Sequence, residues 1–311
     1  MWWRWLRLKQ MGVLGINNRN LSFIQRYNTR THYPLVDDKV KTKKLAQAHD
    51  VKVPTLYTVI HSEHDNKVFS KLIQNRAQFV IKPAQGAGGE GILVVTHYIN
   101  NRYRLSNGKL LTEDEIKYHI STTLSGAYSL GGYPDKVMVE YLVQFDDVFE
   151  KVAYQGVPDV RVIVIKGFPV MAMVRLPTQA SNGKANLHQG AIGAGVDLKT
   201  GQTLHGVWHN EIVTHHPDTL HEIEGVTIPY WKECLLIASR CYDMTKLGYL
   251  GVDLVLDKAH GPMMLELNAR PGLNIQIANQ VGLQRRFDMI KPVLDKEMDA
   301  KARIEYVLSR L

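Results

Sequence analysis

Residues 250–268 constrain the fold more than any other stretch of the chain. Leu250-Gly251-Val252-Asp253-Leu254-Val255-Leu256-Asp257 and Met263-Met264-Leu265-Glu266-Leu267-Asn268 flank a turn containing Gly261-Pro262, which reads as an antiparallel hairpin. With the turn centred between Ala259 and His260, Asp253 stands opposite Glu266. Period-two alternation then puts Val252, Leu254, Leu256, Leu265 and Leu267 on one face, and Asp253, Val255, Met264, Glu266 and Asn268 on the other. Like charges directly opposite one another destabilise a sheet, and inside apolar strands they need a raised pKa or a positive partner. A hard divalent cation held by Asp253, Glu266 and Asn268, with phosphate oxygens completing its shell, would supply that partner. A solvent-facing acidic hairpin, or a shifted register, would remove the conflict without one.

The second signal is Gly86-Ala87-Gly88-Gly89-Glu90-Gly91, preceded by the strand-like Phe79-Val80-Ile81-Lys82. The loop spells G-x-G-x-x-G, but Ile92-Leu93-Val94-Val95-Thr96 follows it as a strand, where a dinucleotide-binding loop needs a helix. No Gly-Lys-Ser/Thr follows, which excludes a Walker A loop. In a strand–loop–strand hairpin, glycines without Cβ let backbone N–H groups approach a triphosphate, and Lys82 would set an ammonium beside it. An ordinary glycine-rich hairpin is the plainer alternative.

Composition narrows the class. The 311 residues are 45% apolar and 22% charged, the profile of a soluble globular protein. At roughly 100–200 residues per domain the length allows two or three domains. No apolar run approaches the roughly 20 residues of a membrane span. The opening MWWRWLRLKQ is interrupted by Arg4, Arg7 and Lys9, unlike a secretory signal. Two cysteines, Cys234 and Cys241, are too few for a disulfide framework, so a reduced cytoplasmic protein is expected. The net charge of +8 is local, because residues 1–44 hold ten basic side chains against Asp37 and Asp38. With Trp2, Trp3, Trp5 and Tyr27 interleaved, that stretch could meet an acidic peptide, a phosphate-rich ligand, nucleic acid or anionic lipid, or form a solvated arm packed by its tryptophans. No zinc-finger or RNP-type motif favours nucleic acid, and His215, His216 and His221 read as solvated loop residues rather than zinc ligands.

Along the chain, Asp37 or Asp38 opens a helix to about Ala48, and Thr55–Ile60 reads as a strand. Thr112 with Glu115 forms a capping box for a helix to about Leu124. Residues 137–141 and 160–165 are apolar strands, and Tyr230–Leu247 is an amphipathic helix with both cysteines on its buried side. Residues 178–195, rich in Gly, Asn, Ser and Ala, read as a long loop or lid. Strands and helices without regular βαβ alternation give an α+β class. Three regions are expected: a short basic segment over 1–36, a small lobe with the glycine loop over 37–139, and a large lobe with the metal site over 140–311.

Taken in order, Lys39 in Asp37-Asp38-Lys39, Lys82 with its glycine loop, Glu140-Tyr141-Leu142 and Asp253…Glu266-x-Asn268 resemble the motifs of the ATP-grasp superfamily. Asp159-x-Arg161, Arg175, Asn186-Leu187-His188 and Glu266-Leu267-Asn268-Ala269-Arg270-Pro271-Gly272 resemble the branch holding the ribosomal-protein glutamate ligase and α-L-glutamate ligase-like proteins. The resemblance implies an ATP-grasp fold, two lobes sandwiching a nucleotide. It implies that Lys39 and Lys82 contact the ATP phosphates, that Gly86, Gly88 and Gly89 cover them, and that Glu140, Tyr141 and Leu142 meet adenine. Arg161, Arg175, Asn186 and Arg270 would then lie at the reaction centre, and Asp253, Glu266 and Asn268 would hold Mg²⁺, or Mn²⁺ in its place. Plainer readings stay open: Lys39 as a surface lysine, Glu140 as a strand end, Arg161 and Arg175 as partners of Asp159 or other acids, Asn186 as a turn residue. Related ligases carry a full α/β domain before the first phosphate-binding lysine, whereas 38 residues precede Lys39 here. A truncated N-terminal region is therefore expected, its basic residues attracting an acidic substrate in the missing domain's stead.

The implied reaction joins a carboxylate, small-molecule or peptide, to an amine at the expense of ATP, with glutamate one candidate and a homo-oligomer one candidate assembly. An ATP-grasp phosphotransferase and a non-catalytic nucleotide- or nucleic-acid-binding protein are the alternatives.

Overall fold

Two antiparallel sheets, each built from β-branched and other apolar runs, organise the chain into an α+β fold. The computed structural model describes residues 2–73, 76–86, 88–129 and 131–311, apart from the side chains of Trp2, Arg4 and Trp5; Ala87 of the glycine loop lies outside the described residues. The chain separates into one body of residues 37–44 and 53–143 and another of residues 1–36, 45–52 and 144–311.

The first body holds six strands: β1 (Leu56–Ile60), β2 (Phe79–Pro83), β3 (Leu93–Ile99), β4 (Arg102–Leu105), β5 (Leu110–Leu111) and β6 (Val137–Glu140), in the order β1-β6-β2-β3-β4-β5. β2 pairs directly with β3, so the glycine loop does join a hairpin. One face of the sheet buries Phe69, Phe79 and Tyr103, whose rings meet edge to face at 5.8–6.3 Å, under the helix Glu113–Leu124. That helix starts where Thr112 and Glu115 complete the capping box. The helix Lys39–Ala48 starts where the Asp38 carboxylate accepts from the N–H groups of Val40 (2.9 Å) and Lys41 (3.2 Å).

The second body holds β7 (Asp159–Ile165), β8 (Phe168–Leu176), β9 (Ile192–Val196), β10 (Thr203–Trp208), β11 (Glu211–Val213), β12 (Tyr249–Asp257) and β13 (Gly261–Asn268), in the order β11-β10-β9-β8-β7-β12-β13. The helix Trp231–Thr245 packs on it with Cys234 and Cys241 fully buried, and burial pushes the Cys234 thiol up to about 12. Residues 1–36 belong to this body. Phe23 packs against Tyr249 and Phe287, and Asn28 donates to Tyr249 O and Ala269 O at 2.8 and 2.9 Å.

Three expectations need correcting. The lid-like stretch 178–195 ends inside β9, which begins at Ile192; Gly193 and Gly195 are strand residues whose missing Cβ admits Leu187 and the Ala278 carbonyl as close neighbours. His216 is wholly buried, its Nε2 bonded to Pro177 O at 3.0 Å, because an imidazole can satisfy the polar groups of a buried turn. In the β12–β13 hairpin Asp253 does pair with Glu266, but a bulge follows and Leu254 pairs with Met264. The bulge therefore turns Met264 to the side of Leu254, against strict alternation, and Met264 is buried. Among the described residues no helix is long and apolar enough to cross a membrane.

Candidate active site

In the first body the chemistry gathers around Glu140, the last residue of β6. Its carboxylate lies between two ammonium groups, Lys82 on β2 at 2.5 Å and Lys43 on the Lys39–Ala48 helix at 2.7 Å. All three side chains are buried. Burial alone would raise the Glu140 pKa, but the two lysines outweigh it and hold the carboxylate below its ordinary range. Lys43 is displaced more: burial, with Lys82 as a like-charged neighbour, pushes it down to about 8 against the pull of Glu140. Its ammonium also donates to Pro54 O at 2.5 Å.

Lys39, one helical turn before Lys43, donates to Gly86 O at 2.6 Å. The glycine loop needs its glycines. Gly88 and Gly89 have φ of +67° and +78° with open space where a Cβ would stand, so their backbone can lie against a ligand. Gly91 (φ +71°) is different, since a Cβ there would come within 2.6 Å of the Tyr128 ring. Tyr141 and Leu142 follow Glu140 as half-buried residues.

In the second body, sheet register assembles the site. Arg161 on β7 is the cross-strand partner of Asp253 on β12, which in turn faces Glu266 on β13. Asp159, two residues before Arg161, is the partner of Arg175 on β8. These side chains therefore share one face of the sheet. Arg161 forks Asp253, Nε to Oδ1 at 2.6 Å and Nη2 to Oδ2 at 2.5 Å. Arg175 donates to Asp253 Oδ2 at 2.8 Å and forks Asp159, Nε to Oδ1 at 2.5 Å and Nη2 to Oδ2. Burial acts to raise Asp253, but Arg161 and Arg175 outweigh it and hold it below the usual carboxylate range. Asp159 has one close guanidinium and a neighbouring negative charge, and burial pushes it up to about 6.

A guanidinium has five N–H donors, and each arginine spends only its Nε and Nη2 edge on these acids. Both line a small cavity of about 50 Å³ with Met173, Asn186, His188 and Asn274. Asn186 caps a short turn, its Oδ1 accepting from His188 N–H at 3.0 Å. Arg270 is placed otherwise: it is exposed, with its guanidinium over the Tyr33 ring at 5.0 Å.

The positive partner demanded for Asp253 is thus present in the protein as two guanidiniums. Among the described residues no group of three or more His, Cys, Asp and Glu stands ready for a metal ion. The oxygen set Asp253, Glu266 and Asn268 still suits a hard divalent cation. Asp253 Oδ1 accepts a single bond and keeps a lone pair, Glu266 lies opposite it, and Asn268 Oδ1 accepts from Arg270 N–H at 2.7 Å with a second lone pair remaining.

Sequence reasoning missed Lys43. Its signal was the i, i+4 spacing from Lys39, which puts both ammonium groups on one side of the helix.

Solved structures similar to the chain include D-alanyl-alanine synthetase A from Vibrio cholerae, 14% identical with a TM-score of 0.47 over 86% of this chain and 67% of that one. The ATP-grasp ligase PsnB complexed with a minimal precursor is 13% identical, with a TM-score of 0.42 over 91% and 63%. A RiPP-associated ATP-grasp ligase from Chryseobacterium gregarium, in complex with ADP and a leader and core peptide, is 15% identical, with a TM-score of 0.47 over 88% and 64%. The chain spans about two thirds of the length of these proteins. No curated protein matches it. Residues 18–292 match the model of one family, and the chain belongs to it: the sugar-transfer associated ATP-grasp family.

Proposed function

We propose that the chain is an ATP-dependent carboxylate–amine ligase that works through an acyl phosphate. The observation that carries this reading is the face of β7, β8 and β12 on which Arg161 and Arg175 are locked by Asp159 and Asp253 beside Glu266. A carboxylate does not expel hydroxide at neutral pH. Its oxygen attacks the γ-phosphorus of ATP, ADP leaves, and the acyl phosphate then takes the amine nitrogen at carbon. The tetrahedral intermediate expels phosphate and loses a proton to give the amide. Such a reaction needs positioned cationic donors rather than a protein nucleophile.

In this reading Lys39 and Lys82 bind phosphate oxygens, Gly86, Gly88 and Gly89 let the backbone cover them, and Tyr141 and Leu142 meet adenine. Glu140 orients Lys82 through their ion pair. Arg161 and Arg175, pinned on one edge, present the other to the incoming carboxylate and to the charge that spreads in the transition state. Asn186 borders the same cavity, and Arg270 is assigned to substrate from its own loop. Asp253, Glu266 and Asn268 would hold Mg²⁺, which when bound supplies charge neutralisation to phosphate oxygens. Two guanidiniums at one cavity suit an acidic substrate, glutamate among the candidates.

The test is ATP, Mg²⁺ and a panel of carboxylates with hydroxylamine as the amine. A hydroxamate is expected, and Arg175→Met should remove it. A stable phosphoester on an acceptor hydroxyl in place of hydroxamate would make the protein a phosphotransferase.

A further inference from the structure

The proposed chemistry leaves residues 1–36 without a role. They hold Arg4, Arg7, Lys9, Arg19, Arg26 and Arg30 and no Asp or Glu. Large apolar side chains are exposed in the same stretch: Trp3 at 85%, Leu21 at 65%, Ile16 at 63% and Leu8 at 49%. Single exposed apolar residues are ordinary, but several of them within one basic segment call for an explanation. On the helix Trp2–Gln10, Trp3 and Arg7 stand one turn apart with Leu8 beside them, all exposed. The segment is held in place. Gly12 O accepts from Gln284 N–H at 3.0 Å, Gln10 O accepts from Arg285 Nη2 at 3.0 Å, and Leu14 N–H donates to the Gln276 side chain at 2.7 Å.

We infer that residues 3–26 dock the protein on a membrane surface rich in anionic phospholipid. Trp3, Leu8, Ile16 and Leu21 enter the boundary between headgroups and acyl chains, while Arg7, Lys9 and Arg26, all exposed, meet lipid phosphates. Tryptophan beside Arg and Lys is the composition of an interfacial helix. The aliphatic members decide among polyanions. Nucleic acid would stack on Trp3 but has nothing to receive Leu8, Ile16 and Leu21, whereas acyl chains receive all four. The absence of any acid from residues 1–36 removes the repulsion that an anionic surface would otherwise meet.

The experiment is vesicle sedimentation of the full chain, with tryptophan emission read alongside. Partition into phosphatidylcholine vesicles containing about 30% phosphatidylglycerol should exceed that into pure phosphatidylcholine by about tenfold or more, with a blue shift, and should fall in about 0.5 M salt. The double variants Arg7→Glu/Lys9→Glu and Trp3→Ser/Leu8→Ser should each lose most of that partition with an unchanged thermal midpoint, because all four positions are exposed. Equal partition into neutral and anionic vesicles, full retention by either double variant, or tight binding of RNA or a polyglutamate peptide without vesicle binding would each overturn the proposal.

Discussion

Arg161 and Asp253 face each other across adjacent antiparallel strands, and the guanidinium takes both carboxylate oxygens at 2.6 and 2.5 Å. The acid that looked costly in an apolar hairpin is thereby neutralised from the neighbouring strand, and Arg175 adds a second positive charge from one strand further on. A buried pair of this kind stabilises little relative to apolar residues, yet losing one partner strands the other's charge.

Arg161→Met should therefore destabilise the protein by about 1–3 kcal/mol in urea unfolding, less than a fully stranded charge costs because Arg175 still holds Asp253. Arg161→Lys should fall between, because an ammonium keeps the charge but cannot fork two oxygens. An unfolding midpoint for Arg161→Met equal to that of the wild type would show that the pair does not hold these strands.

Glu140 is the counter-ion of Lys82 and Lys43, and its folded pKa is lowered from 4.5. A carboxylate depressed on folding contributes stability above its unfolded pKa and loses it as pH falls through the folded one. Glu140→Gln should therefore flatten the acid limb of the stability profile below about pH 4.5, measured by denaturant titration at several pH values. An acid limb identical to that of the wild type would contradict the assignment.

Lys43 has a pH sensitivity of the same sign, in a higher window. Its pKa falls from 10.5 to about 8 on folding, so between those values the unfolded chain binds more protons and stability rises with pH. The contribution is complete above the unfolded value and is lost as pH falls through about 8. Lys43→Met should abolish this rise, worth roughly 3 kcal/mol across the window. Parallel profiles for the two proteins would show that Lys43 does not titrate there.

The glycine loop separates conformational strain from overlap. Gly88→Ala meets only the penalty of a positive φ, about 1–2 kcal/mol, whereas Gly91→Ala must also displace Tyr128 from 2.6 Å. Gly91→Ala is expected to lower the thermal midpoint more than Gly88→Ala. The reverse order would mean that the loop relaxes around residue 91.

Much of the local architecture was legible. The capping box at Thr112 and Glu115, the cap at Asp38, the buried cysteines of the long helix and the hairpin closing over the glycine loop follow from patterns a few residues long. Lys43 was legible only as a neighbour of Lys39 on one helix side; its importance comes from Glu140, brought to it by the pairing of β6 with β1 and β2. Met264 was misassigned because a bulge inserts one residue that no alternation announces.

By itself the sequence determined that Asp253 and Glu266 meet, since turn position and period-two alternation set the register of a hairpin whose strands are close in the chain. Only the tertiary structure decided what neutralises Asp253. Arg161 lies 92 residues away and Arg175 lies 78 away, and both arrive through the strand order β8-β7-β12. Periodicity acts over one or two turns of chain, whereas the choice of counter-ion for a buried charge is made by whichever strand the sheet places beside it.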